Sequence, residues 1–292
     1  MEQSFIRYLE DVLTRHCGEP VKIKSAEAIG GGCIHYTFRL QSNASDFFIK
    51  YNRAALYPQM FEAEAKGLAM LAASRTIRVP SVITSGYWNE KAFLLLEYIR
   101  PQQRRKNFWE NFGQSLALLH RHTAPYFGLD SDNYIGSLPQ YNCRHQQWSS
   151  FFVEERLRRQ ASLAYAAGLI AAAHQRSLEQ LYKKIPDLFP DEPPALLHGD
   201  LWSGNFIVAD DGYACLVDPA VYFGHREMEI AFTMLFGGFD QRFYDAYQDA
   251  FPLANGFDAR KDICNLYPLL VHLNLFGSSY LPAIERILRC YA

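Results

Sequence analysis

The amino-acid sequence predicts an α+β protein with two lobes, in which a small β-rich N-terminal lobe precedes a larger, mainly helical C-terminal lobe. Three observations support this fold class. Residues 21–51 and 78–99 contain short runs of alternating apolar and polar residues bounded by glycine or small polar residues, which is typical of strands. Beyond residue 106, apolar residues recur at helical spacing over long segments. Two short apolar runs within residues 196–218 interrupt this helical region.

The first lobe is predicted to span residues 1–100 and to begin with an amphipathic helix over residues 1–17. Strands are expected in VKIKSAEAIG, CIHYTFRL and FFIKY, with a glycine turn and then a polar SNAS turn between them. A second helix is predicted over residues 59–73, before the strand region that ends in AFLLLEYI at the junction with the next lobe. The apolar stripe of the first helix consists of Phe5, Ile6, Leu9, Val12 and Leu13.

The second lobe is predicted to span residues 101–292 and to be built mainly from helices. Apolar periodicity predicts helices over residues 106–121, 145–185 and 259–290. Two short strands flank a polar segment within residues 196–218. The sequence shows no internal repeat and no low-complexity segment, so we expect one copy of each lobe.

Composition limits the classes of partner and compartment. Apolar residues make up 49% of the 292 residues and the net charge is −2, so we expect an ordinary globular protein without a nucleic-acid partner. The N-terminal stretch lacks the apolar core of a signal peptide, and no apolar run is long enough to span a bilayer. The six cysteines are scattered without a CxxC pair, which favours reduced thiols over a disulfide framework or a zinc site. These features predict a cytoplasmic protein without a membrane segment.

The segment LLHGDLWSGNFIVADDGYACLVDPA, residues 196–220, carries the strongest chemical signal. Asp200 and Asn205 are separated by four residues, and Asp218 follows the next apolar run, which is the layout used for phosphoryl transfer. Asp200 would accept the proton of a substrate hydroxyl. Asn205 and Asp218 would offer a neutral and a charged oxygen to Mg²⁺, a hard cation that prefers oxygen ligands. The alternative is a polar turn that only caps a helix.

A kinase also needs a lysine on a strand and a glutamate on the following helix. The strand FFIKY supplies Lys50, and the helix after it offers Glu62 and Glu64. By helical spacing Glu64 shares a face with apolar residues such as Leu68. Because a carboxylate on a buried face is costly unless it is paired, we expect Glu64 to pair with Lys50. Glu62 is expected to face solvent, where it would form an ordinary surface pair with a lysine four residues on.

Two further features of the first lobe fit ATP binding. Gly30, Gly31 and Gly32 lie between two predicted strands, where they would let backbone N–H groups approach phosphates. A tight hairpin turn would look the same in sequence. Glu97 and Ile99 lie at the junction of the lobes, where we expect main-chain groups to bind the adenine edge.

Several segments together resemble the fructosamine kinase (ketosamine-3-kinase) family. They are HGDLWSGN, DPAVYFGHREMEIAFTMLFGGF and LYPLLVHLNLFGSSY in the second lobe, and GGGCI, FFIKYN and FEAEAKGL in the first. The resemblance implies a protein-kinase-like fold of the aminoglycoside-phosphotransferase type. It also implies ATP-dependent phosphorylation, at the third hydroxyl, of a ketose attached to an amine, after which the adduct decomposes and frees the amine. The substrate would be a small-molecule or protein-bound ketosamine, and the protein would be a monomer or a homodimer.

The resemblance assigns Asp200 as the base, Asn205 and Asp218 as metal ligands, and Lys50 with Glu64 as the phosphate clamp. The motifs depart from those of protein kinases, because HGD replaces HRD, DPA replaces DFG, and no APE segment follows. No activation loop controlled by phosphorylation is therefore expected, and this favours a small-molecule kinase over a signalling kinase.

Four more positions are candidates for a role at the site. Trp202 lies inside the HGD loop, where its ring either anchors the loop or contacts the sugar. His225 either meets the sugar or only braces the loop. Glu229 is interpreted as structural, bracing the loop that carries Asp200. Cys33 follows the glycines, where it either packs as a small apolar residue or forms a reactive thiolate that oxidises reversibly.

Two other functions remain open at this point. A kinase for another small alcohol, such as an aminoglycoside or choline, would share the base and the metal ligands but not HGDLWSGN followed by YFGHRE. An inactive nucleotide-binding scaffold is the alternative from a different class. Its distinguishing sign would be the loss of one of the core groups, and Lys50, Glu64, Asp200, Asn205 and Asp218 are all present.

Overall fold

The structure is a computed structural model that describes residues 1–30 and 35–291. The chain divides into two compact units. The first unit comprises Met1–Arg104 and Ile207–Val217, and the second comprises Arg105–Phe206 and Asp218–Ala292. Within the described residues, no helix combines the length and the apolar character needed to cross a membrane.

The elements follow one another in this order. The first part of the chain forms α1 (Gln3–Cys17), β1 (Ile23–Ala28), β2 (Tyr36–Ser42), β3 (Asp46–Arg53), α2 (Met60–Ser74), β4 (Val82–Trp88) and β5 (Lys91–Glu97). The middle forms α3 (Phe108–Leu119), β6 (Asn133–Ile135), β7 (Leu138–Gln140), α4 (Trp148–Phe151), a π-helical segment (Phe152–Arg158), α5 (Arg159–Ala166) and α6 (Ala172–Leu188). The last part forms β8 (Ala195–Leu197), β9 (Phe206–Val208), β10 (Ala214–Leu216), β11 (Tyr222–Gly224), α7 (Glu227–Leu235), α8 (Gln241–Ala250), α9 (Phe257–Phe276), a 3₁₀ turn (Ser278–Tyr280) and α10 (Leu281–Tyr291).

The first unit is built on an antiparallel sheet of five strands in the order β1-β2-β3-β5-β4. The central residues of β5 are all apolar, because side chains on both faces of the strand are buried. Phe93 and Leu95 join a core cluster that contains the predicted helix residues Phe5, Leu9 and Leu13. The alternate residues Ala92, Leu94 and Leu96 join a second cluster with Phe61 and Leu68 of α2. The two predicted helices of this lobe are therefore confirmed.

The β9–β10 hairpin brings residues Ile207–Val217 into the first unit. The backbone N–H of Gln102 donates to the carbonyl oxygen of Val208 at 2.9 Å, and the N–H of Leu216 donates to that of Arg78 at 2.9 Å. Ile99 packs against apolar residues of the hairpin in a small cluster. These backbone bonds and buried contacts explain why the hairpin departs from the predicted division, which assigned all of residues 101–292 to the second lobe.

The second unit is mainly helical, with α9 in its core. The predicted helix over residues 145–185 is divided, because the chain turns between α5 and α6 where Gly168 has φ +70°. Helix α3 approaches α8 very closely. A Cβ atom at Gly113 would lie 2.2 Å from the carbonyl oxygen of Phe243, so only glycine fits at this crossing. The β6–β7 hairpin and helices α7 and α8 lie outside the helices and strands that the sequence pattern predicts.

Candidate active site

The catalytic loop, residues 198–205, begins directly after the buried strand β8. Gly199 adopts the left-handed conformation with φ +85°, and a Cβ atom there would lie 2.0 Å from the carbonyl oxygen of Ala220. No residue with a side chain fits at this position without moving the backbone. The close approach explains why HGD stands where protein kinases have HRD.

Glu229 holds the start of the catalytic loop. Its carboxylate accepts hydrogen bonds from the backbone N–H groups of His198 at 3.1 Å and Gly199 at 2.7 Å. The side chain of His120 contacts the same carboxylate at 2.9 Å through Nε2, which donates because a carboxylate only accepts. Burial alone would raise the pKa of Glu229, but the hydrogen bond from His120, together with the interactions with His198 and the N–H of Gly199, outweighs it, so the pKa is lowered. These contacts agree with the interpretation of Glu229 as a structural brace.

Asp200 and Asn205 face each other within the catalytic loop. The side-chain amide nitrogen of Asn205 donates to the backbone oxygen of Asp200 at 2.8 Å and to its carboxylate at 2.9 Å. Burial raises the pKa of Asp200 well above its usual value, and the negative charges of Asp218 and Glu229 add to this effect, although Asn205 opposes it. The residue as a whole is partly accessible to solvent. A carboxyl group of raised pKa suits a group that takes up a proton.

Asp218 lies in a strained backbone conformation. Its φ of +54° falls in the left-handed region, which residues other than glycine adopt at a cost and only where the surroundings enforce it. The backbone N–H of Ala220 donates to the carbonyl oxygen of His198 at 2.9 Å, and β11 then pairs with β8. The second unit therefore brings the predicted residues Asp200, Asn205 and Asp218 to one place.

The oxygen groups of this site fit a hard divalent cation. The nitrogen of the Asn205 amide faces Asp200, so its oxygen is on the other side of the amide group. This neutral oxygen and the charged oxygens of Asp218 are the ligand types that Mg²⁺ prefers. The residues that sequence spacing assigns to the metal thus fit Mg²⁺ in chemistry.

The first unit contains the predicted lysine–glutamate pair. Lys50 on β3 and Glu64 on α2 form an ion pair at 2.5 Å, and their side chains are only 4% and 11% exposed. The expectation that Glu64 faces the apolar side and pairs with Lys50 is confirmed. Glu62 is partly buried rather than exposed, and one of its oxygens accepts no hydrogen bond among the described residues. The prediction that Glu62 is exposed to solvent is therefore wrong.

The remaining predicted nucleotide-binding residues have different environments. The side chain of Glu97 pairs with Arg78 at 2.6 Å and accepts from the N–H of Ser81 at 3.1 Å. The side chain of Ile99 is buried in the cluster with the β9–β10 hairpin. Both side chains are thus engaged in the fold, as expected of residues that would act through the main chain. Gly30 has open space where a Cβ would be, whereas Gly31, Gly32 and Cys33 lie outside the described residues.

Trp202 and His225 differ sharply in exposure. The Trp202 side chain is 39% exposed, and its ring lies over Gly204, where a Cβ atom would come within 2.4 Å of the ring. His225 is fully buried beside the rings of Phe189 and Trp148, and burial lowers its pKa. This burial does not support direct contact between His225 and a sugar, one of its two predicted roles. The other role, bracing of the loop, stays a prediction.

Comparison with known proteins decides the family. The protein-family profile described as fructosamine kinase matches residues 6–291. The chain belongs to the fructosamine kinase family. A probable ketoamine kinase of Synechocystis is 37% identical over 280 residues, which cover 95% of this chain and 93% of that protein. The chloroplastic protein-ribulosamine 3-kinase of Arabidopsis thaliana is 37% identical over 279 residues, which cover 94% of this chain and 84% of that protein.

Solved structures agree with this family. A candidate fructosamine-3-kinase from Haemophilus somnus has a TM-score of 0.88 and 30% identity, with 97% of this chain and 96% of that chain covered. The aminoglycoside phosphotransferase APH(4)-Ia, in a ternary complex with AMP-PNP and hygromycin B, has a TM-score of 0.62 at 14% identity. This second likeness shows the fold, which is the predicted protein-kinase-like fold of the aminoglycoside-phosphotransferase type.

Sequence reasoning alone did not find every residue that shapes this fructosamine kinase site. His120 is not among the residues singled out from the sequence, yet it donates to Glu229, and its Nδ1 is 2.8 Å from the hydroxyl of Tyr247. Asn133 and Gln140 contact the backbone just after Asp218. No local pattern marks these three residues, because their partners are about 80 or more residues away in sequence.

Proposed function

We propose that this protein is an ATP-dependent ketosamine kinase that phosphorylates the third hydroxyl of a ketose attached to an amine. The observation that carries the proposal is the arrangement of Asp200, Asn205 and Asp218 around the catalytic loop of a chain from the fructosamine kinase family. The name of the Arabidopsis relative, a protein-ribulosamine 3-kinase, supports the substrate class. Phosphorylation at this position would lead the adduct to decompose and free the amine, which amounts to deglycation.

In the proposed reaction, Asp200 accepts the proton of the ketose hydroxyl. The hydroxyl oxygen forms a bond to the γ-phosphorus of ATP as the bond between that phosphorus and the β–γ bridging oxygen breaks, so ADP leaves and the proton remains on Asp200. The carboxylate of Asp200, held by the side-chain amide of Asn205, is the group of the catalytic loop that would take up this proton. Asn205 and Asp218 would hold Mg²⁺, which when bound neutralises the charge of the phosphates.

The other predicted residues receive binding roles. Lys50, held by Glu64, would contact the phosphates of ATP, and Gly30–Gly32 would offer backbone N–H groups to them. The main chain at Glu97 and Ile99 would bind the adenine edge. The exposed face of Trp202 would pack against the C–H side of the sugar, since an aromatic face suits an apolar surface next to hydroxyl groups.

A turnover assay tests the proposal directly. The protein is incubated with Mg·ATP and fructose-, ribulose- or erythrulose-derived ketosamines, both free and protein-bound, and the position of the phosphate is read by ³¹P NMR. Hygromycin B and choline form the arms for other alcohol kinases. The expected result is ketosamine-dependent ADP release with phosphate on the third hydroxyl. Turnover only with hygromycin B or choline, or with no substrate at all, would contradict it.

Asp200→Asn is the matched variant for this assay. It preserves the size of the side chain and still accepts from Asn205, but it cannot take up the proton. We expect ATP affinity to stay within a few-fold of wild type while turnover falls roughly a hundred- to ten-thousand-fold. Wild-type turnover of the variant on a confirmed substrate would show that Asp200 is not the base.

A further inference from the structure

The β6–β7 hairpin in the second unit carries two buried amides that face each other across the strands. Asn133 and Gln140 are a register pair, and they are only 8% and 1% exposed. Buried amides are costly unless their donors and acceptors are satisfied. The partners of these two side chains therefore indicate what the hairpin is for.

Both amides donate to the backbone that follows the proposed metal ligand. Gln140 Nε2 donates to the carbonyl oxygen of Ala220 at 3.0 Å, and Asn133 Nδ2 donates to that of Val221 at 2.8 Å. These carbonyl groups belong to the second and third residues after Asp218. Two side chains from a separate hairpin thus supply donors to consecutive carbonyl groups beside the site.

A wider network fixes the direction of each amide. Gln140 Nε2 also donates to Asn133 Oδ1 at 2.8 Å, and the hydroxyl of Tyr267 donates to Gln140 Oε1 at 2.7 Å. Asn142 donates to Asn133 Oδ1 at 3.0 Å and in turn accepts from Arg156 at 2.7 Å. Both amide oxygens already accept hydrogen bonds. If either amide group were rotated by 180°, its NH₂ group would face these donors and the hydrogen bonds would be lost.

The same backbone also contacts the catalytic loop. The N–H of Ala220 donates to the carbonyl oxygen of His198, and the carbonyl oxygen of Ala220 lies against Gly199. Asp218 meanwhile has a φ of +54°, a conformation that the surrounding structure must enforce. The segment after Asp218 is therefore fixed between the loop that carries Asp200 and the hairpin that carries the two amides.

We infer that Asn133 and Gln140 are positioning residues that hold Asp218 in its left-handed conformation and so direct its carboxylate towards the metal. This inference rests on the proposed function, in which Asp218 is a ligand of Mg²⁺. The two amides would act through the carbonyl groups of Ala220 and Val221, to which they donate.

The test measures how Mg²⁺ supports nucleotide binding in Asn133→Leu and Gln140→Leu. Calorimetry with AMP-PNP at a series of Mg²⁺ concentrations gives the concentration at half-saturation. We expect each variant to need roughly 10- to 100-fold more Mg²⁺, which is the usual effect of losing a residue that orients a metal ligand. In the activity assay, kcat at limiting Mg²⁺ should fall while the KM for the ketosamine stays near that of wild type.

Gln160→Leu is the matched control, because Gln160 is another buried glutamine of the same unit. Its side-chain oxygen accepts from Asn274 at 2.8 Å. The control should lose stability in urea unfolding but keep the wild-type Mg²⁺ requirement. If a leucine variant does not fold, Asn133→Asp gives the decision, since it keeps the size of the side chain and removes the hydrogen bond to Val221.

Asp218→Ala separates the inference from the proposed function. If Asp218→Ala leaves Mg²⁺-dependent binding unchanged, the metal assignment fails and the inference fails with it. If Asp218→Ala loses this binding while Asn133 and Gln140 variants keep the wild-type Mg²⁺ requirement, only the inference is overturned. An equal rise in the Mg²⁺ requirement of Gln160→Leu would also overturn it, because the effect would then follow from any lost buried amide.

Discussion

The buried carboxylate of Glu229 offers a sharp test of how the catalytic loop is held, through Glu229→Gln. One of its oxygens accepts from Gly199, and the other accepts from His198 and His120. The amide of glutamine has one accepting oxygen, so in either orientation its NH₂ group faces a backbone N–H. An unsatisfied buried donor costs about 1–3 kcal/mol. Loss of the negative charge weakens the remaining bonds by about 1 kcal/mol more, giving a total near 2–4 kcal/mol.

Urea unfolding of Glu229→Gln measures this cost. Glu179→Gln is the control, because Glu179 forms an exposed pair with Arg158 and should contribute at most about 1 kcal/mol. Since the two N–H groups directly precede Asp200, we also expect kcat to fall roughly 10- to 100-fold, as small displacements at reacting groups produce. Equal unfolding free energies for the two variants, or unchanged kcat in Glu229→Gln, would refute the reasoning.

The pH dependence of this cost has a defined sign. The folded protein lowers the pKa of Glu229, so the carboxylate stabilises the fold fully above the unfolded-state pKa of about 4.3. The contribution is lost as pH falls through the lower folded-state value. The difference in unfolding free energy between wild type and Glu229→Gln should therefore be largest near neutral pH and shrink below about pH 4.3. A difference that grows on acidification would contradict the assignment.

Three other predictions concern the nucleotide site. Asn205→Ala should raise the Mg²⁺ concentration needed for nucleotide binding, but less than Asp218→Ala does, because the lost ligand is neutral. A larger Mg²⁺ requirement for Asn205→Ala than for Asp218→Ala in calorimetry would contradict this. Glu64→Gln should lower kcat about tenfold or more by releasing Lys50, whereas Glu62→Gln should change it less than twofold, and equal kinetic effects would exclude the pairing argument. Mild peroxide should inactivate wild type reversibly but leave Cys33→Ala active. Activity is measured beside non-reducing gels, and an equal loss of activity in both proteins would show that Cys33 is only a packing residue.

The part of the site that could be predicted rests on local patterns. Glu64 was identifiable because helical periodicity places it among apolar residues, where a carboxylate needs a cation. Asp200, Asn205 and Asp218 were identifiable because their residue types and spacing match a known chemistry. Strand β5 was visible as an apolar run, although only the structure shows that helices cover both of its faces.

The rest depends on partners that are far apart in sequence. His225 lies in a stretch that reads as a loop, and its burial comes from Phe189 and Trp148, which no periodicity connects to it. The glycine of HGD is required by the carbonyl group of Ala220, a contact that follows from the pairing of β11 with β8. The return of the β9–β10 hairpin to the first unit likewise depends on backbone bonds to residues more than a hundred positions earlier.

This hairpin has a consequence for the order in which the protein can fold. The first unit lacks its final segment until residue 217 has been synthesised, because Ile207–Val217 closes over Ile99 and bonds to the backbone of Arg78. A nascent chain that ends at residue 104 therefore leaves that apolar surface exposed while the ribosome adds about another hundred residues. Contacts this distant in sequence are slow to form, and incomplete units of this kind are prone to aggregate. Because residues 105–206 of the second unit precede Ile207–Val217 in the chain, the first unit cannot be completed until they have been synthesised.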